Sequence, residues 1–116
     1  MSEFTIYHNP RCSKSRKTLA LLQENGVEPE IVLYLETPPD IAKIRALLGK
    51  LGITPAELVR RGEEDYKACG LSRDSSDETL VAAMADHPRL IERPIVVRGD
   101  RAVLGRPPEN VLELIG

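Results

Sequence analysis

Residues 4–26 read FTIYHNPRCSKSRKTLALLQENG, and the change of pattern inside this stretch decides the fold. Phe4-Thr-Ile-Tyr-His8 is short and rich in β formers, the mark of a strand. Asn9-Pro10 breaks it. From Ser13 onward Thr18, Leu19, Leu21 and Leu22 recur near helical spacing, Lys and Arg line the other face, and Gly26 stops the run. Glu30 to Leu35 (EIVLYL) then reads as a second strand, apolar enough to be expected in the interior. Two strands joined by a crossover helix should run parallel, with a right-handed connection.

Outward from this unit, Thr37-Pro38-Pro39-Asp40 starts a helix with apolar Ile41, Ile44, Leu47, Leu48 and Leu51. Thr54-Pro55 is another start signal, an N-cap followed by proline at the first helical position. It leads through Leu58 and Val59 to Arg60-Arg61-Gly62. Glu63 to Cys69 and Asp77 to Asp86 predict two more helices, closed by Pro88. Pro94 to Val97 is a third strand, Arg98 to Arg101 a turn, and Ala102 to Leu104 the returning strand of a hairpin. Gly105-Arg106-Pro107-Pro108 opens a last helix, Glu109 to Ile115. A parallel pair followed by an antiparallel hairpin gives a mixed sheet. The expected class is α/β: a thioredoxin-like mixed four-stranded sheet with a helical insertion, about residues 40–87, between strands 2 and 3, in a single domain over residues 1–116.

Composition narrows the function. The chain of 116 residues suits one domain, and its 29% charged and 41% hydrophobic residues are ordinary for a globular protein. Aromatics are 3%, with no Trp, so base stacking by interleaved rings is not expected. A net charge of −2 argues against a broad nucleic-acid or anionic-membrane footprint. No apolar run approaches the roughly 18 residues of a spanning helix. Met1-Ser2-Glu3-Phe4 has no basic region followed by an apolar stretch, so no signal peptide and a cytoplasmic location are expected. Cys12 and Cys69 form no CxxC pair, and a structural disulfide is not expected in a reducing compartment. His8, Cys12, Cys69 and His87 show no zinc spacing, so no metal is expected.

The chemistry points to Cys12. It falls in the turn from strand 1 to helix 1, where free backbone N–H groups and the positive end of the helix dipole favour a thiolate. Arg11, Lys14 and Arg16 add positive charge; His8 could add a donor or a charge, or could simply be a satisfied loop-end histidine. Ser15 lies three residues on, within reach across the first helical turn. The plain alternative is a small buried apolar cysteine, and the polar, basic neighbours speak against it. With Ser15 in place of a second cysteine, no local disulfide can close, so an outside thiol must resolve any adduct on Cys12. Cys69 is a candidate for that, with a half-buried helix residue as the plainer reading. His87 reads as a local capping group. Arg60-Arg61 reads by itself as a solvated pair. Arg93 and Arg106 each precede a proline, which is either simple loop chemistry or a way to hold guanidiniums in place for a tetrahedral oxyanion.

His8-Asn-Pro-Arg-Cys12-Ser-Lys-Ser15-Arg16 resembles the active-site loop of glutaredoxin-dependent arsenate reductases. Tyr34-Leu-Glu-Thr-Pro-Pro39, Glu92-Arg93-Pro94-Ile-Val-Val97 and Gly105-Arg106-Pro107 resemble further motifs of that family, in the same order, over about residues 4–115. The resemblance implies a thioredoxin-like fold, with Cys12 the nucleophile toward arsenate. It implies that Arg60, Arg93 and Arg106 grip the oxyanion, with Arg61 the rival of Arg60. His8, Ser15 and Arg16 match positions that support the thiolate, and Pro94 is expected to follow a cis peptide bond. Glutathione and glutaredoxin are the implied external reductants, with no tightly bound cofactor and a monomeric chain. Two other readings share the fold: a monothiol glutaredoxin-like oxidoreductase, and a redox or transcription-regulatory binding module. The regulators typically carry a CxxC switch, which Ser15 does not allow.

Overall fold

The handover from strand pattern to helix pattern takes place at Cys12. In this computed structural model, which describes residues 3–115, β1 spans Phe4–Tyr7 and α1 spans Ser13–Glu24. Met1, Ser2 and Gly116, the ends of the expected 1–116 domain, lie outside the described residues. The chain divides into two compact units, Met1–Thr37 with Arg93–Gly116, and Pro38–Glu92.

The first unit holds the sheet. β2 is Glu30–Val32, β3 is Ile95–Arg98 and β4 is Arg101–Leu104, in the order β2-β1-β3-β4. β1 runs parallel to β2, with Ile6 opposite Ile31, and antiparallel to β3, with Ile6 opposite Val96. β3 and β4 form the hairpin, closed by Gly99-Asp100 between paired Arg98 and Arg101. Gly99 has φ +60 and no non-glycine residue among those described has a positive φ. That sign pattern is the two-residue turn that matches the natural twist of a hairpin. Ile6 and Val96 are wholly buried and form the core with Phe4, Leu22, Val111 and Leu114. Leu22 thereby seats α1 on the sheet. Truncating such a residue to alanine costs about 2–5 kcal/mol, so the helix that begins beside Cys12 is firmly placed.

Two expectations need correction here. The second strand is not a buried six-residue strand. It has three residues at the sheet edge, and Ile31 is 46% exposed. The amides of Glu36 and Thr37 both donate to Leu33 O at 2.9 Å, and this turn takes Leu33, Tyr34 and Leu35 off the ladder. The last helix likewise begins as a 3-10 turn, Pro108–Val111, and only then becomes α6, Leu112–Ile115.

The second unit is helical: α2 Ile41–Leu51, α3 Pro55–Leu58, α4 Glu64–Ala68 and α5 Asp77–Asp86. Its starts follow the caps in the sequence. Asp40 accepts from Lys43 N–H at 2.8 Å, and Ser76 accepts from Thr79 N–H at 3.2 Å. Glu57 Oε1 accepts from both the N–H and the hydroxyl of Thr54. α2 buries Ile44, Leu47 and Leu48, and α5 buries Leu80, Val81 and Met84. Pro88 does not merely close α5; it opens a 3-10 turn, Pro88–Leu90. No helix among the described residues is long and apolar enough to cross a membrane.

Candidate active site

Cys12 is the N-cap of α1, with extended backbone (φ −93, ψ 123). Its N–H donates to Asn9 O, and its carbonyl accepts the first helical bond from Arg16 N–H, both at 3.0 Å. The sulfur therefore stands where the unpaired amides of the first turn point outward. Burial pushes the Cys12 thiol up. Against burial act the backbone N–H of Ser15, the positive charge of Arg93, the N–H of Lys14 and a hydrogen bond from the Arg93 side chain, and the balance lies below the ordinary thiol value. The thiol makes no cap hydrogen bond of ordinary length.

His8 and Ser15 form a buried pair behind the thiol. His8 Nδ1 lies 2.7 Å from Ser15 Oγ, and Ser15 Oγ accepts from Asn9 N–H at 3.0 Å. His8 is 6% exposed and Ser15 is fully buried. Burial first, then the charge of Arg16, pushes His8 down from the usual histidine value, so at neutral pH it contributes hydrogen bonding and no charge. Arg16 donates to Pro10 O at 2.8 Å. It braces the loop and repels a proton from His8.

Arg93 and Arg106 come together through the backbone. The Arg93–Pro94 peptide bond is cis, as expected, and so is Arg106–Pro107, which was not anticipated. Arg106 Nη1 donates to Arg93 O at 3.3 Å, and Gly105 N–H donates to Pro94 O at 2.9 Å. Thr18 and Gly105 are the residues that sequence reasoning missed. Thr18 Oγ1 donates to Lys14 O at 2.7 Å and reaches Gly105 O at 3.3 Å. A Cβ on Gly105 would stand 2.6 Å from that hydroxyl oxygen and 2.8 Å from Pro94 Cγ. Only glycine lets the segment before Arg106 lie this close to α1. The signal was available in Gly105 itself, directly ahead of the arginine-proline pair.

With this geometry in view, comparison with known proteins is decisive. The model of the ArsC family matches residues 7–114. The chain belongs to the ArsC family. It is 61% identical to the uncharacterized protein YfgD of Escherichia coli K12, over 96% of this chain and 95% of that one. It is 48% identical to an arsenate reductase of Neisseria meningitidis serogroup A, over 96% and 97% of the two chains. The solved structure of an arsenate reductase from Vibrio cholerae superposes with a TM-score of 0.91 at 51% identity, covering 95% of each chain. The thioredoxin-like α/β architecture of this ArsC chain is thus established.

Four further residues of the ArsC chain that the sequence singled out lie in the second unit. Arg60 is held there by Glu63 Oε2 at 3.2 Å, by Glu92 Oε1 at 3.7 Å and by Arg89 O at 3.2 Å, while Arg61 is exposed. Cys69 caps the end of α4 as a half-buried free thiol. His87 caps α5 and lies 3.7 Å from Asp65. Among the described residues no group of three or more His, Cys, Asp or Glu side chains is placed to hold a metal.

Proposed function

We propose that this ArsC-family chain reduces arsenate to arsenite through Cys12, with glutathione and glutaredoxin as its reductants. The observation that carries the reading is a thiol lowered below its ordinary value beside Arg93, with Arg106 hooked onto the same backbone. A thiolate and an oxyanion repel each other, and guanidiniums offset that repulsion and stabilise charge on the adduct. Arg60 is the third guanidinium of this reading, on the strength of the sequence resemblance. In the first step the thiolate attacks arsenic, a sulfur–arsenic bond forms, and one oxygen of dihydrogen arsenate leaves as water with its two protons. Glutathione displaces a second oxygen as water. A glutaredoxin thiolate then attacks the glutathione sulfur, the new disulfide takes the place of the sulfur–arsenic bond, and arsenic keeps the electron pair as arsenic(III). Hydrolysis releases arsenite and Cys12.

The absence of a second cysteine at position 15 supports the need for an outside thiol. A cleft of about 350 Å³ flanks the loop, with Pro10, Leu33 and Leu35 as apolar wall and Arg11 and Glu36 as opposite charges. This suits a peptide thiol that carries both signs, as glutathione does. The reading places the chain in the cytoplasm, working as a monomer without nucleic acid. The test is NADPH consumption in the presence of arsenate, glutathione, glutaredoxin and glutathione reductase. Arsenate-dependent turnover that Cys12→Ser abolishes is expected. Turnover that does not depend on arsenate, with mixed-disulfide reduction retained, would move the chain to the monothiol oxidoreductases.

A further inference from the structure

Arg106 needs more than proximity to serve an anion, because a guanidinium directs its donors only as well as its backbone is held. The segment Leu104-Gly105-Arg106 presents three carbonyls, and each has a side-chain donor. Thr18 takes Gly105 O at 3.3 Å. The carboxamide of Asn110 takes the other two: Nδ2 donates to Leu104 O at 3.2 Å and to Arg106 O at 3.3 Å. The NH2 group has a separate N–H for each carbonyl, and the amide oxygen has none, which fixes the orientation of the amide. Asn110 is itself fixed, its N–H donating to Pro107 O at 3.0 Å within the turn Pro108–Val111. From Arg106 the connection continues through Nη1 to Arg93 O, and Arg93 is among the groups that hold the Cys12 thiol below its ordinary value.

We infer that Asn110 is a positioning residue for oxyanion binding: its carboxamide clasps the backbone on both sides of Gly105-Arg106 and so aims the Arg106 guanidinium. The inference rests on the proposed reading, in which the site takes an oxyanion. A purely structural role predicts lost stability and less active enzyme. A positioning role predicts weaker oxyanion binding in enzyme that remains folded.

The test is Asn110→Ala in the full chain, with Arg106→Ala and the double variant alongside. With a cooperative melt retained, KM for arsenate is expected to rise about tenfold or more while kcat changes by less than about threefold. In the Arg106→Ala background the same substitution should add no further rise in KM. A second readout needs no arsenate. The rate at which iodoacetate alkylates Cys12, relative to neutral iodoacetamide, reports the cationic field at the thiol, and this ratio should fall in Asn110→Ala. An unchanged KM and ratio in folded Asn110→Ala, or a full additional rise in KM without Arg106, overturns the inference. Wild-type enzyme without arsenate turnover overturns the proposed function, and the alkylation ratio then decides the positioning role alone. If Asn110→Ala fails to fold, Asn110→Asp, of equal size but without the two donors, replaces it. Failure of both to fold assigns Asn110 to the fold and overturns the inference.

Discussion

Gly105→Ala tests the packing of the segment before Arg106 against Thr18 and Pro94. The added Cβ would stand 2.6 Å from Thr18 Oγ1, 2.8 Å from Pro94 Cγ and 2.9 Å from Thr18 Cγ2. All three are far inside the roughly 3.5–4.0 Å of good carbon contacts. Gly105 has no positive φ, so the backbone admits alanine and the effect is one of contact. Neither neighbour yields. Thr18 is wholly buried, and as a β-branched residue on a helix it is stiff at χ1. Its hydroxyl is tied to Lys14 O. Pro94 is a ring, and the 2.9 Å bond from Gly105 N–H to Pro94 O holds the two backbones at this spacing. Overfilling such a site costs about 1–3 kcal/mol. A less flexible unfolded chain returns only about 0.4–1 kcal/mol. The expected net loss is therefore about 1–2 kcal/mol from these two effects.

Urea unfolding followed by far-UV circular dichroism reads this directly. With a slope of about 1–3 kcal/mol/M, the midpoint should fall by about 0.5–1 M. Thr18→Ala removes two of the three crowding atoms, so Gly105→Ala should cost less in that background, with a coupling of about 0.5 kcal/mol or more. An unchanged midpoint, or strict additivity of the two substitutions, would refute the reasoning. It would mean that the turn and α1 part easily, and that nothing in this contact fixes Arg106.

Three other outcomes follow from the site. Arg93→Met removes both a charge and a donor from the surroundings of Cys12, so thiolate absorbance should titrate at higher pH than in wild type, and a superimposable titration would detach Arg93 from the thiol. Arg60→Ala should raise KM for arsenate and lower kcat/KM, whereas exposed Arg61→Ala should leave both near wild type; the opposite pattern would exchange their roles. His8 titrates below the ordinary histidine value in the folded chain, so the unfolded chain binds the extra proton first as pH falls. The stability linked to His8 is present above about pH 6.5 and is lost as pH falls through the folded value. Urea midpoints measured from pH 8 to pH 5 should show this loss, and His8→Asn should flatten it.

The parallel β1–β2 pair, the β3–β4 hairpin and the helix of Cys12 were legible because each rests on local signals: an Asn-Pro break, an apolar stripe, and a hairpin turn; the antiparallel β1–β3 pairing that joins them into the order β2-β1-β3-β4 was not. The helix starts at Asp40 and Thr54 were legible for the same reason, while the cap at Ser76 emerged only from the structure. The edge position of β2 was not legible, since EIVLYL reads the same on an edge as in the interior until the turn onto Leu33 is known. The cysteine was readable from charge and spacing, and Gly105 carried a signal in its place before Arg106-Pro107, but the contacts of Thr18, Gly105 and Asn110 were not readable. Their roles arise from contacts across more than 80 residues for Thr18 and Gly105, or from two carbonyls that become neighbours only when the chain turns at Pro107.

His8 was legible as a residue near the thiol, but the physics of its role is the reverse of a nearby charge. A protonated imidazole would stabilise the thiolate; this one is neutral at pH 7 because burial and Arg16 hold its value down. What lowers Cys12 includes the N–H of Ser15, and Ser15 is the residue whose hydroxyl His8 and the Asn9 amide hold in place. His8 therefore acts on the thiol by geometry, through the seat of Ser15 in the first turn of α1. On this argument His8→Ala raises the Cys12 titration although no charge is lost, and His8→Asn, whose amide can still meet Ser15 Oγ, restores part of the shift. Action through charge predicts that Ala and Asn behave alike. Thiolate absorbance titrations of the two variants separate the cases, and identical curves would return His8 to the role of a charge.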